Sequence, residues 1–107
     1  MLTMVIDMKV REGAQEEFER EASEQVARVI KDEPGTLLYT LLKSSTDPTE
    51  YVFLEAYKDQ AALDFHIEEF HKIWGPAMNR CLARPNYVRR VDDVSGFARE
   101  MTWAAQK

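Results

Sequence analysis

Residues 36–58 read TLLYTLLKSSTDPTEYVFLEAYK, and this stretch decides the fold. It holds two alternating runs. In the first, 36–44, Leu37, Tyr39 and Leu41 fall on one face, and Leu38 and Leu42 on the other. In the second, 50–58, Val52, Leu54 and Ala56 make an aliphatic face. Tyr51, Phe53, Glu55 and Tyr57 make an aromatic face with one carboxylate in it. A period of two is the mark of a strand. Ser45-Thr46-Asp47-Pro48-Thr49 between them has turn composition, so the two runs form an antiparallel hairpin. Strands apolar on both faces are expected to be covered on both.

Upstream, residues 2–10 also alternate. Leu2, Met4, Ile6, Met8 and Val10 share one face, opposite Thr3, Val5, Asp7 and Lys9. Gly13 marks a turn. Phe18, Ala22, Val26, Val29 and Ile30 then recur at intervals of three and four, which predicts a helix over 14–32. Acidic residues early in this helix, with Arg28 and Lys31 late, suit its dipole. Glu33-Pro34-Gly35 stops it. Downstream, Asp59 is a good N-cap for a helix whose apolar stripe is Leu63, Ile67, Phe70 and Trp74, with His66 on the same side. Gly75-Pro76 breaks it and opens a short helix through Met78, Cys81 and Leu82. Residues 86–94, with Tyr87, Val88, Val91 and Val94, make the last strand.

The order is βαββααβ, a two-layer α+β sandwich with an antiparallel sheet. Its helices cover one sheet face. A free face exposing Leu and Tyr or Phe predicts an interface or a ligand site, and two such sheets packed face to face predict a homodimer. A chain of 107 residues fits one domain, placed at 1–94. The tail, 95–107, is read either as a short helix packed on the partner subunit or as frayed.

The net charge of -5 disfavours nucleic acid, since no basic surplus is present to neutralise phosphates. The pair Arg89-Arg90 is followed directly by Asp92-Asp93 and reads as a solvated strand end. Cys81 is the only cysteine, which excludes an internal disulfide and any paired-cysteine zinc or redox motif. No apolar run approaches the about 20 residues of a membrane span, and no basic leader opens the chain. These features lead us to expect a cytoplasmic protein. No glycine-rich nucleotide cradle is readable.

Glu33-Pro34-Gly35-Thr36-Leu37-Leu38-Tyr39 resembles the turn into the second strand of the antibiotic biosynthesis monooxygenase family. Tyr51-Val52-Phe53-Leu54-Glu55-Ala56-Tyr57-Lys58-Asp59 resembles that family's third strand and following cap. Ala62-Leu63-Asp64-Phe65-His66 and Phe70-His71 resemble its helical segment, which in many members carries two histidines five apart. The resemblance covers roughly residues 1–94. It implies a ferredoxin-like domain that pairs into a dimeric α/β barrel. It also implies oxidation of hydroquinone-like or polyketide phenols by molecular oxygen, with no flavin, haem or metal cofactor. Other relatives degrade haem, isomerise small molecules or bind them.

His66 is the leading candidate. On the apolar stripe it has an accessible pKa and could take a proton from a phenol, leaving an anion able to reduce oxygen. The alternative is a structural histidine bonded to a carboxylate or backbone group. Glu55 either orients His66 or a substrate hydroxyl, or forms an ion pair with Arg or Lys. Tyr39, Phe53, Tyr57, Phe70 and Trp74 either line a cavity for a flat aromatic substrate or belong to the core. His71 lies about 140° around the helix from His66, a poor metal pair, and is expected at the surface or an interface. The resemblance implies an asparagine near position 7 in haem-degrading relatives, and the aspartate here, Asp7, speaks against that activity. Cys81 is expected in the core. Besides the oxygenase, a non-oxidative isomerase of a small carbonyl compound and a binding protein without catalysis are both compatible with these residues.

Overall fold

The computed structural model describes residues 1–99. The elements are β1 (Leu2–Lys9), α1 (Gln15–Asp32), β2 (Thr36–Lys43), β3 (Glu50–Tyr57), α2 (Gln60–Ile73), α3 (Gly75–Asn79) and β4 (Tyr87–Val91). The strands form one antiparallel sheet in the order β2-β3-β1-β4. The predicted βαββααβ order holds. β4 is shorter than expected, and Val94 lies beyond it, exposed. The tail expectation falls partly outside the described residues; 95–99 contain no helix or strand.

Alternation decides which face each side chain takes, and the helices decide which face is the core. Met8, Tyr51 and Phe53 on the sheet pack against Phe18, Ala22 and Val26 of α1, with Met78 and Cys81 closing one end. Phe18 and Tyr51 meet with ring centroids 4.8 Å apart. The aromatic face of β3 is therefore the helix-covered one. This corrects the expectation that tyrosine or phenylalanine of the hairpin would be exposed on the free face. The free face is aliphatic over β2 and β3, carrying Leu38, Leu42, Val52 and Leu54.

Three further differences have local causes. Against the single step from Tyr57 to Ala56, β2 advances from Thr36 to Leu38, so Leu37 is the extra residue of a bulge. It leaves the face of Tyr39 and Leu41 and is exposed. Ile30 and Ile67, both read as stripe residues, are also exposed. Each sits at the margin of its helix's apolar sector, where intervals of three and four leave the direction open by tens of degrees. The stripe positions left in the core include Gln25 on α1 and His66 on α2, both polar.

Asp59 caps α2 as expected, its carboxylate accepting from the Ala62 amide at 2.9 Å. Replacing it by alanine is expected to cost about 1 kcal/mol, read as a lowered urea midpoint. Gly13 has φ +91°, a left-handed turn between β1 and α1 that a side chain would strain. Gly35 is needed for another reason: a Cβ there would lie 2.7 Å from the Cβ of Ala62. The turn after α1 thus abuts the first turn of α2. Among the described residues no helix is long and apolar enough to cross a membrane.

Candidate functional site

The contact between that turn and α2 brings together residues distant in sequence. Glu33 follows α1 as its C-cap and is buried, 2% exposed. A carboxylate at the negative end of a helix dipole, removed from water, requires cationic or hydrogen-bonding partners. Two meet it. Arg28 Nη2 donates to Glu33 Oε2 at 2.6 Å, and His66 Nδ1 lies 2.8 Å from Glu33 Oε1. His66 itself is 5% exposed. Burial pushes its pKa below the ordinary histidine value, against the raising influence of Glu33. The imidazole is therefore neutral at neutral pH. A carboxylate can only accept, so the ring proton sits on Nδ1 and Nε2 carries a lone pair.

That lone pair faces the sheet. Nε2 lies 4.0 Å from Glu55 Oε1, too far for a hydrogen bond. Tyr57 donates its hydroxyl proton to the same Glu55 oxygen. Glu55 is 5% exposed, and its pKa is pushed up to about 7. Burial is the main cause; the Tyr57 bond acts against it, and the charge of Glu33 adds to it. No lysine or arginine pairs with Glu55 among the described residues, so the ion-pair alternative is not what forms. The group that holds the His66 ring is Glu33, and Glu55 stands on the opposite nitrogen.

The aromatic candidates assemble around this pair. His66 packs edge-on against Tyr39 at 5.0 Å, and lies 5.3 Å from Tyr57 and 6.0 Å from Phe70. Tyr39 stacks on Phe53 at 4.7 Å. Tyr39, Glu55, Met4 and Arg90 occupy one row across the four strands on the helix-covered face. Trp74, at the C-cap of α2, makes no ring contact with the cluster among the described residues; its buried Nε1–H meets no acceptor there. His71 is exposed and touches only the edge of Phe70.

Glu33 is the residue that reading along the chain passed over, taken there only as part of a helix stop. Its signal is available in retrospect: an acidic residue directly after a helix, where the dipole disfavours it, needs a partner elsewhere.

Glu55 makes a pH-dependent prediction. Its folded pKa of about 7 lies above the ordinary 4.5. The associated stability is complete below 4.5 and is lost as pH rises through 7. At 1.36 kcal/mol per unit the loss is about 3 kcal/mol. His66, with a lowered pKa, acts in the other sense, losing stability as pH falls below 6.5. Glu55→Gln keeps an acceptor for Tyr57 and removes the carboxylate. Relative to the parent, it is expected to gain about 3 kcal/mol between about pH 4 and about pH 8 in urea unfolding. A constant difference across that window would contradict the assignment.

The fold is a ferredoxin-like α+β sandwich, and a buried carboxylate–histidine pair lies against the aromatic face of its sheet. The family model for antibiotic biosynthesis monooxygenases matches residues 1–71, and the chain belongs to that family. YcnE of Bacillus subtilis strain 168, provisionally designated a monooxygenase, is 34% identical over 71 residues, 66% of this chain and 74% of that protein. An uncharacterized Synechocystis protein, sll1783, is 29% identical over 68 residues, 62% of this chain; the match spans 46% of that protein, about half its length. A solved structure from Caulobacter crescentus CB15, provisionally assigned as an antibiotic biosynthesis monooxygenase, superposes with a TM-score of 0.81 at 32% identity. That match covers 88% of this chain and 90% of the other.

Proposed function

We propose that this chain is a cofactor-independent monooxygenase that oxidises a hydroquinone-like or polyketide aromatic with molecular oxygen, His66 serving as the base. The observation that carries this reading is the neutral imidazole held by buried Glu33 through Nδ1, with its Nε2 lone pair turned toward an aromatic-lined sheet. Family membership and the provisional monooxygenase designations of the Bacillus and Caulobacter relatives support it.

In this mechanism the substrate hydroxyl gives its proton to Nε2, and Glu33 stabilises the imidazolium that forms. The phenolate passes one electron to oxygen. The substrate radical and superoxide combine at carbon, and the peroxide anion takes the proton held on Nε2 to become a hydroperoxide. Loss of water then leaves a carbonyl, so one atom of O2 enters the product and the other leaves as water. Glu55, part protonated near neutrality, is placed to supply a proton to the departing oxygen.

Oxygen uptake by metal-stripped protein against hydroquinones, anthrones and naphthols tests the reading. A rate well above spontaneous oxidation is expected. Turnover of a carbonyl compound under argon, without oxygen uptake, would move the assignment to a non-oxidative isomerase. The opposed His66 and Glu55 across 4.0 Å are an acid–base pair suited to that chemistry. A ligand retained through purification with no turnover would identify a binding protein.

We propose also that two copies pack their free sheet faces together, closing a dimeric barrel. Leu38, Leu42, Val52, Leu54 and Val5 make that face apolar, and Asp7 and Arg89 on β1 and β4 supply charges of opposite sign for a partner copy. Sedimentation is expected to give a dimer mass, and Val52→Lys with Leu54→Lys a monomer. A monomer mass for the parent at micromolar concentration would refute it.

A further inference from the structure

The buried polar network extends past Glu33. Gln25 is fully buried on α1, at 0% exposure. Its Oε1 accepts from Arg28 Nε at 3.2 Å, and its Nε2 donates to the Tyr39 hydroxyl oxygen at 3.3 Å. The same Arg28 holds Glu33 through Nη2. One guanidinium therefore fixes two side chains with separate duties, Glu33 behind His66 and Gln25 behind Tyr39.

The bond from Gln25 determines what the Tyr39 hydroxyl can do. It occupies a lone pair on the phenol oxygen and leaves the phenol proton to be donated in another direction. No described residue accepts that proton. Burial, with the nearby charges of Glu55 and Glu33, holds the phenol well above its ordinary pKa, so it stays protonated. The ring stands edge-on to His66, and Tyr39 is the direct cross-strand neighbour of Glu55. A partly buried, oriented O–H donor with no acceptor among the described residues thus stands beside the base.

We propose that Tyr39 is a substrate-contacting donor that holds the oxygen of a phenol or enol while His66 removes the proton from that oxygen, and that Gln25 and Arg28 are positioning residues that aim it. This rests on the assignment of His66 as base. The step is a proton transfer alone: the O–H bond of the substrate breaks, the proton joins Nε2, and the electron pair stays on the oxygen as a phenolate or enolate. The Tyr39 hydroxyl stabilises that charge as it develops. The substrate class is thereby narrowed to compounds with an acidic hydroxyl on an unsaturated carbon. A carbon acid without such an oxygen would leave Tyr39 unused.

4-Nitrophenol is the probe, since its ionised form is coloured and reports the charge of the bound molecule directly. The parent protein is expected to bind it and to ionise it further than solvent does at the same pH. His66→Ala is expected to abolish the extra ionisation. Tyr39→Phe keeps the ring packing and is expected to bind the nitrophenolate roughly tenfold more weakly, with a matching loss of ionisation. Gln25→Met is expected to weaken binding when Tyr39 is present and to change nothing further in a Tyr39→Phe background, because it acts through that hydroxyl. Unfolding midpoints confirm that each variant is folded.

The outcomes separate the claims. If Tyr39→Phe ionises bound nitrophenol as the parent does, while His66→Ala does not, the Tyr39 assignment is overturned and the base stands. Equal losses from Gln25→Met in both backgrounds would overturn its positioning role. Failure of the parent to bind or to ionise the probe would overturn both the donor and the base.

Discussion

His66→Ala is expected to lower turnover of a phenolic substrate with oxygen by roughly 10²–10⁴-fold, the range for loss of a positioned general base. The loss should fall on kcat, because the imidazole acts on the proton in flight and adds little to ground-state binding. The variant should remain folded, since Glu33 keeps its bond to Arg28 at 2.6 Å. Raising the pH should partly restore the alanine variant, as substrate already ionised in solution no longer needs a base. An unchanged kcat, or a loss that pH does not relieve, would place His66 among the structural residues of α2.

Glu33→Ala is expected to have the largest effect on stability. It leaves Arg28, whose side chain is only 14% exposed, with no carboxylate, and strips His66 of its Nδ1 partner. Removing one partner of a buried ion pair costs about 3–5 kcal/mol. For a domain of this size that is a fall in Tm on the order of 10 °C or more. A second signature separates this from general damage. Glu33 raises the pKa of both His66 and Glu55. Without it, both groups should titrate lower than in the parent, which NMR of the His66 ring and the Glu55 carboxyl would follow. A large loss of stability with both titrations unmoved would mean that the carboxylate serves packing alone.

The order of elements along the chain was legible because alternation in β1, β2 and β3 is nearly unbroken and the breakers at Gly13, Pro34-Gly35 and Gly75-Pro76 are strong. Asp59 was legible because an N-cap acts over three residues. Which face of the hairpin the helices would cover was not, since a period of two defines two faces without ranking them. The bulge at Leu37 was hidden for a related reason: it depends on the neighbouring strand's register. His66 and Glu55 stood out as polar residues in apolar settings. Glu33 did not, because its partner on α2 is 33 residues away in sequence, and only the folded chain brings them within 2.8 Å. Gln25 was overlooked among the polar residues of α1, where an amide on the inner side looks like one on the outer.

Gly35 and Ala62 work as a spacer gauge between the turn that carries Glu33 and the helix that carries His66. With 2.7 Å available to an added methyl, the two positions together tolerate a single side-chain carbon. Drift at one should be answered at the other: Gly35→Ala is expected to be accepted only alongside Ala62→Gly. A descendant in which both enlarge would have to step α2 back and stretch the Glu33–His66 bond. Inheritance at this pair of small residues, remote from any reacting atom, would then record whether a lineage still depends on the histidine.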